Sequence, residues 1–204
     1  MTEAAIICGF YGKLPARGDF VRAGLPRAFT DPWDEWMGTV IAGSRERMGE
    51  QWLPAYLEAP VWRFSLSPGL CGPLPAVGLM IPSVDKAGRY FPLTFAALCG
   101  DGDSIPSWLD RCEDAGFAAL ERDTEPEEIV RLIGHPEGAL QYRDYAKTVS
   151  CESIWWTDGA PRVAATRMSL SGLPDVATYA SMLGETQEPA GAGAMEEASW
   201  ESQS

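Results

Sequence analysis

Four carboxylates in the first half of the chain could supply hydrolytic chemistry if the segments that carry them meet in the fold. They are Asp19, Asp34, Glu35 and Asp85, and two acids that converge in one cleft can act as general acid and general base. Basic residues alternate with them along the chain, and a nearby positive charge lowers a carboxyl pKa and favours a salt bridge over a protonated acid. A hydrolase or ligand-binding domain that uses Asp19 and Asp85 is therefore the weaker interpretation.

The other common catalytic signatures do not occur in the sequence. His135 is the single histidine and follows Gly134 at the end of a predicted helix, where a structural role is the simpler interpretation. There is no Gly-x-Ser-x-Gly turn, no Cys-x-x-Cys pair and no phosphate-binding glycine loop. The cysteines are odd in number and widely spaced, which does not fit a disulfide framework. We therefore expect a protein that is not an enzyme and needs no metal or cofactor.

The charge and hydropathy of the chain exclude two classes of partner. The formal net charge is −13, whereas nucleic-acid binding needs concentrated lysine and arginine to replace counterions on phosphates. No apolar run approaches the roughly 18 residues of a membrane-spanning helix, so membrane insertion is not expected. Glu3 precedes the first apolar residues and no basic residue stands before them, which is unlike an export signal. The sequence predicts a cytoplasmic protein.

Two short segments, 9–36 and 82–94, combine glycine, proline and charges of both signs. Glycine permits backbone angles closed to other residues and proline fixes its own, so both segments are predicted to have defined shapes. We interpret them as rims of one surface that binds a protein partner, since arginine and tryptophan are frequent anchors of interfaces. The candidate contact residues are Lys13, Arg17, Asp19, Arg22, Trp33, Asp34, Trp36, Asp85 and Arg89.

A second interpretation treats the same two segments as buried supports of a sheet. The partner would then bind elsewhere, for example on the acidic helices predicted within 101–128. The solvent exposure of Arg17, Asp19, Asp85 and Arg89 separates these two hypotheses.

The elements that must position these residues follow from periodicity and capping signals. Asp31 is a suitable N-cap and Pro32 suits a first helical turn, so a helix is expected to begin there and to end near Gly49. A capping box of Thr124 and Glu127 predicts the start of another helix. The further predicted helices span 52–57, 104–122 and 173–183, and the predicted strands span 4–11, 61–67, 76–81, 90–98, 153–157 and 163–170.

Short links join strands 76–81 and 90–98, and strands 153–157 and 163–170, which favours antiparallel hairpins. Strands joined this way but interrupted by helices predict an α/β layered sandwich with a largely antiparallel or mixed sheet flanked by helices on its faces. We expect one domain over residues 1–183. Residues 184–204 are acidic, with little to bury, and are predicted to form a disordered tail.

The two segments resemble those of the TagF (ImpM) family, which is associated with bacterial type VI secretion systems. The matching residues are Gly9-Phe10-Tyr11-Gly12-Lys13-Leu14-Pro15, Arg17-Gly18-Asp19-Phe20-Val21, Leu25-Pro26, Pro32-Trp33-Asp34-x-Trp36, Trp62-Arg63-Phe64 and Pro82-Ser83-Val84-Asp85-x-x-Gly88-Arg89-Tyr90-Phe91-Pro92-Leu93-Thr94. They span the first half of the chain. The region after Asp101 matches loosely.

The resemblance implies a regulator that restrains assembly or firing of the secretion machine after translation. It also implies a partner, a scaffold protein with a forkhead-associated domain, and a fold in which a sheet lies between helices. Some relatives are joined to a protein phosphatase domain, and nothing in this sequence supplies one. The alternative within the same system is a structural assembly factor that binds through another surface.

Overall fold

The computed structural model describes residues 6–98, 105–136 and 152–185. Its strands are β1 Ile7–Gly12, β2 Val21–Ala23, β3 Trp62–Leu66, β4 Ala76–Ile81, β5 Leu93–Leu98, β6 Glu152–Thr157 and β7 Thr166–Ser171. Its α-helices are α1 Arg27–Met48, α2 Trp52–Leu57, α3 Ile105–Glu121, α4 Pro126–Ile133 and α5 Val176–Met182, with a 3₁₀ turn Gly49–Gln51 between the first two. The strands form one seven-stranded sheet in the order β2-β1-β5-β4-β3-β6-β7.

Helices lie on both faces of this sheet. Trp33 of α1 and Tyr179 of α5 belong to the core on one face, and Trp108 of α3 and Ile129 of α4 belong to the core on the other. Every residue of β4 and β5 is buried, because these central strands contact both cores. The predicted layered α/β sandwich is confirmed, with every pairing between the described strands antiparallel.

Both predicted hairpins are present. Leu79 of β4 pairs with Phe95 of β5, and Trp155 of β6 pairs with Met168 of β7. Strand β7 begins at Thr166 instead of Val163, because Val163 is held inside the connection, where its carbonyl accepts a hydrogen bond from the Ala160 amide at 2.8 Å.

Helix α1 begins at Arg27, earlier than the predicted N-cap at Asp31. Pro26 is the observed N-cap, and its carbonyl accepts the Thr30 amide at 3.1 Å, which starts the helix one turn earlier. Pro32 therefore lies inside the helix and leaves the Ala28 carbonyl without its usual partner. Gly72 lies against that carbonyl, and a Cβ at Gly72 would be only 2.5 Å from the oxygen.

Three further local predictions are corrected. The capping box of Thr124 and Glu127 is wrong, since Glu125 is the N-cap of α4 and no side chain caps the helix. Helix α5 begins after Asp175, whose carboxylate accepts the Thr178 amide at 2.8 Å. Strand β2 lies in a stretch predicted to be loop.

The tail predicted for 184–204 begins with two described residues. The Glu185 carboxylate lies 2.8 Å from Nε of Arg47 on α1, and the Glu185 amide donates to the Ala180 carbonyl at 3.0 Å. Residues 186–204 lie outside the described ranges, as do Cys99, Ser104 and Cys151.

Candidate functional site

The candidate site is built on a tight turn between β4 and β5. The Asp85 carboxylate accepts hydrogen bonds from the backbone amides of Ala87 and Arg89, both at 2.9 Å. Gly88 closes the turn with a φ of 79°, a region that disfavours side chains. The Asp85 amide in turn donates to the Arg89 carbonyl at 3.0 Å. The Asp85 side chain thus fixes the shape of the 85–89 turn.

Two cations hold this carboxylate. Lys13, from the first segment, forms a buried ion pair with it, and the Arg89 Nε lies 2.7 Å from Oδ2. Burial on its own would raise the pKa of Asp85, but the hydrogen bonds from Lys13 and Arg89 outweigh burial and hold this pKa well below its usual range. We name Lys13, Asp85 and Arg89 the clamp.

The clamp is reinforced by hydrogen bonds that join the segments 9–36 and 82–94. The Lys86 amide donates to the Arg17 carbonyl at 2.9 Å, and the Arg89 guanidinium donates to the Gly18 carbonyl. The Ser83 hydroxyl donates to the Lys13 carbonyl at 2.7 Å. The structure therefore brings the two segments together into one surface.

Phe20 is an exposed aromatic ring beside the clamp. Its side chain stacks on Tyr11 at 5.2 Å between ring centroids and meets Phe91 edge-on at 4.8 Å. The ammonium of Lys13 lies 4.7 Å from the ring centroid, which favours a cation–π attraction. Phe20 nevertheless remains 44% exposed. The chain therefore holds an apolar ring in a fixed position at the surface.

A cleft of about 480 Å³ opens next to Phe20. Across it the Tyr11 hydroxyl donates to Asp34 Oδ1 at 2.6 Å. Burial, followed by the hydrogen bond to Asp34, raises the pKa of Tyr11, so the hydroxyl keeps its proton. The lining residues of this Phe20 cleft are Tyr11, Phe20, Arg22, Arg27, Thr30, Asp31 and Asp34.

The basic residues around the cleft differ in how their charges are paired. Arg17 lies 2.7 Å from Glu125 and 3.2 Å from Asp123, and so ties the first segment to the connection between α3 and α4. By contrast, the exposed Arg22, Arg27 and Lys86 form no ion pair with any other residue in the described ranges. These three side chains are available to an acidic partner.

Several predicted contact residues belong to the core. Trp33 is fully buried, and its indole N–H donates to the Thr94 hydroxyl at 3.1 Å. Trp36 is half-buried and donates to the Pro174 carbonyl at 2.8 Å, which links α1 to the start of α5. The helical spacing of both tryptophans places them on the inner face of α1. The burial of Trp33, Lys13 and Asp85 places these three residues beneath the surface, where they support it and are not exposed to a partner. Trp36 stays partly exposed, and its role as a contact residue remains a prediction.

The exposures fit neither of the two sequence hypotheses completely. Asp85 is buried, as the hypothesis of buried supports requires. Asp19 is exposed, and the side chains of Arg17 and Arg89 are 32% and 55% exposed, as a docking surface requires. The site is thus a buried Lys13–Asp85 ion pair surrounded by exposed residues, which we call the exposed rim.

Sequence reasoning did not select Phe20, Tyr11 or Arg27. The sequence carries no clear signal for Phe20, because Phe20 and Val21 are adjacent apolar residues and only the structure shows that Val21 is buried while Phe20 is exposed.

The geometry does not support a carboxylate-based active site. Asp19 is exposed, whereas Asp85 is buried and ionised, so the two acids do not share a cleft with one of them protonated. Within the described ranges, no group of three or more His, Cys, Asp or Glu side chains is placed to hold a metal ion. None of the described helices combines the length and apolar character needed to cross a membrane.

The layered sheet and the clamped turn define a class of molecule, an α/β domain that carries a preformed loop surface. Residues 9–133 match the family model of the TagF N-terminal domain, described as type VI secretion system-associated. This match covers more than half of the sequence and includes both segments of the site. None of the curated proteins compared matches the sequence significantly.

The fold is also similar to the crystal structure of PA0076 from Pseudomonas aeruginosa PAO1, determined at 2.05 Å resolution. The two chains share 32% sequence identity with a TM-score of 0.75, over 89% of this chain and 96% of that one. The chain therefore belongs to the TagF family of proteins associated with type VI secretion.

Proposed function

We propose that this protein is a cytoplasmic, non-enzymatic regulator that restrains type VI secretion after translation by binding a scaffold protein with a forkhead-associated domain. The membership in the TagF family supports the link to secretion. The scaffold as partner and the restraining effect are what the resemblance of the two segments implies. Residues 1–183 act as one binding domain in this proposal.

The observation that carries the proposal is the exposed rim on the buried clamp. An ionised Asp85 held by Lys13 and Arg89 fixes the 85–89 turn, and Arg89 joins this turn to the Gly18 carbonyl just before Phe20 without any partner present. A preformed surface loses less conformational entropy on binding than a flexible one. The position of the Phe20 ring beside the unpaired Arg22 combines the two residue types that often carry binding energy, an aromatic and an arginine.

The decisive experiment compares surface variants for binding to the purified scaffold from the same bacterium. We expect Phe20→Ala and Arg22→Glu each to weaken binding about tenfold or more, and to increase secretion in cells. Arg22 is exposed, so Arg22→Glu should leave the thermal unfolding midpoint close to that of the wild type. Phe20→Ala also removes the ring contacts with Tyr11 and Phe91 and should lower the midpoint modestly, so its binding is compared at a temperature where it remains folded. Arg17→Glu is a poorer choice, because it would place an acid against Asp123 and Glu125.

Arg45→Glu is the matched control. Arg45 is also exposed and lies in the last turn of α1, outside the residues that line the Phe20 cleft. This control should bind the scaffold normally. Wild-type affinity in both Phe20→Ala and Arg22→Glu would overturn the assignment of this surface. Loss of affinity in Arg45→Glu alone would instead support the alternative of an assembly factor that binds through another surface.

A further inference from the structure

The two edges of the sheet differ in how they are protected. At one edge, β2 has three residues and packs against α4. At the other edge, β7 has six residues, no proline and a single charge, and it pairs only with β6 among the described strands. Unpaired N–H and C=O groups on such an edge are a template for another extended chain. Natural proteins usually shorten, charge or cover these edges.

On one face of the sheet next to β7, none of the described helices packs over the strands. Helices α3 and α4 pack over the half of the sheet that contains β1, β5 and β4. Beyond α3, the surface of β3, β6 and β7 forms an open cleft of about 480 Å³. Leu109 of α3 forms one wall, and Ser65, Ile154 and Trp156 lie on the sheet side. An added strand beside β7 would extend the floor of this cleft.

The open face carries a row of three paired residues across neighbouring strands. Arg63 of β3 pairs with Trp156 of β6, and Trp156 pairs with Arg167 of β7. Arg63 is neutralised, since Glu113 and Asp158 each lie 2.6 Å from it. The Arg167 guanidinium lies 5.5 Å from the Trp156 ring centroid and forms no ion pair within the described ranges. The row therefore ends in an unpaired cation at the edge of the sheet.

The other face of β7 is apolar. Met168 and Leu170 are half-buried against the core that contains Trp155. A strand placed beside them would bury their remaining exposed surface. The two faces of β7 therefore favour a strand with alternating character, apolar on one side and acidic opposite Arg167.

We propose that β7 binds an extended segment of a partner protein as an eighth strand, with an acidic side chain opposite Arg167 and apolar side chains over Met168 and Leu170. A second copy of this chain fits poorly. Strand β7 contains no carboxylate to place opposite Arg167, and two molecules of net charge −13 repel each other. This surface lies at the other edge of the sheet from the Phe20 cleft and does not rest on the function proposed for that cleft.

The test uses a short synthetic peptide that alternates threonine and valine and carries one glutamate at its centre. Amide hydrogen exchange of the full chain, read by NMR, shows which backbone groups become protected. We expect added protection in Thr166–Ser171 and none in Val21–Ala23. Physiological salt suppresses the long-range repulsion between the peptide and the acidic protein.

A charge exchange checks the role of Arg167. The glutamate peptide should bind the wild type about threefold more tightly than a matched peptide with central lysine, and Arg167→Glu should reverse this preference. Absence of new protection in β7, slow exchange along its outer edge without any peptide, or an equal preference in wild type and variant would each overturn the proposal.

Discussion

At the level of single residues, Asp85 links the two segments of the candidate surface. Its carboxylate is shared by the buried Lys13, the Arg89 guanidinium and two backbone amides. Removing one partner of a buried ion pair leaves the other charge buried and uncompensated, which costs more than the pair itself contributes. The fold of both segments therefore depends on this one side chain.

We predict that Asp85→Asn lowers the thermal unfolding midpoint by about 10 °C, because Lys13 loses its counter-charge. Differential scanning calorimetry measures the change. The double variant Lys13→Met/Asp85→Leu removes both charges and should recover part of the loss. A double variant no more stable than Asp85→Asn would show that the hydrogen bonds of the turn, and not the unpaired lysine, dominate.

The same carboxylate makes the stability of the fold depend on pH. Because the pKa of Asp85 is depressed in the folded state, the unfolded chain takes up the proton first as the pH falls. The stabilisation is therefore complete above the ordinary aspartate range near pH 4 and is lost progressively below it. Urea unfolding between pH 7 and pH 3 should show a shallower acid-side loss in Asp85→Asn than in the wild type. If the unfolding free energies of the two proteins fall in parallel with pH, the depressed pKa of Asp85 is contradicted.

The sequence predicted the charges of the site better than their burial. Lys13 and Asp85 were selected correctly as neighbours of one surface, because their segments share glycine and alternating charge. Their burial was not predictable, since the ion pair joins residues 72 positions apart and depends on how β1 and β5 bring the segments together. For Trp33 the two sequence signals disagreed. Its helical periodicity predicted a core position, where the structure places it, whereas its proximity to the charged segment suggested a contact residue.

At the level of elements, one glycine in each of the segments 9–36 and 82–94 shows how the chain makes its turns. Gly24 and Gly88 have nearly the same backbone angle, with φ values of 77° and 79°. Their surroundings differ. A Cβ at Gly88 would meet nothing within 4 Å, whereas a Cβ at Gly24 would lie 2.1 Å from the Cys8 carbonyl oxygen. The pair separates the cost of the backbone angle from the cost of a steric clash.

We therefore predict that Gly88→Ala costs about 1–2 kcal/mol of unfolding free energy, which is the penalty of the left-handed conformation alone. Gly24→Ala should cost clearly more, because the junction of β2 with β1 must also move. Urea unfolding of both variants measures the difference. Equal losses of unfolding free energy in the two variants would mean that the β1–β2 junction shifts at Gly24 without measurable cost.

The existence of the β4–β5 hairpin and of the strand Trp62–Leu66 follows from apolar runs, alternation and short links. The predicted start of the strand 90–98 is wrong, since β5 begins at Leu93 and Tyr90 forms only an isolated bridge with Val84 inside the connection. The start of α1 did not follow, because Asp31 and Pro32 form a convincing local cap while Pro26 provides the observed one. The packing of Leu25 and Phe29 in the core accompanies the earlier start. Tertiary contacts decide such cases, and a single sequence does not display them.

At the level of the whole molecule, Glu185 is the last residue of the third described range, and it is bound to the rest of the domain. Its ion pair with Arg47 and its backbone bond to Ala180 attach the end of α5 to α1. We predict that truncation after Glu185 leaves the thermal midpoint unchanged, whereas truncation after Leu183 lowers it by a few degrees. Calorimetry of the two truncated proteins compares them directly. A lower midpoint in the longer protein would show that residues 186–204 contribute to the fold.

The order of the strands has one more consequence. Six inter-strand steps separate β2 from β7, which at about 4.8 Å each sets the two ends roughly 29 Å apart. If both proposed surfaces are occupied, the partner segments bind at opposite edges of one sheet, and the sheet acts as a spacer of that length between them. In that case the molecule would hold two partners in one ternary complex.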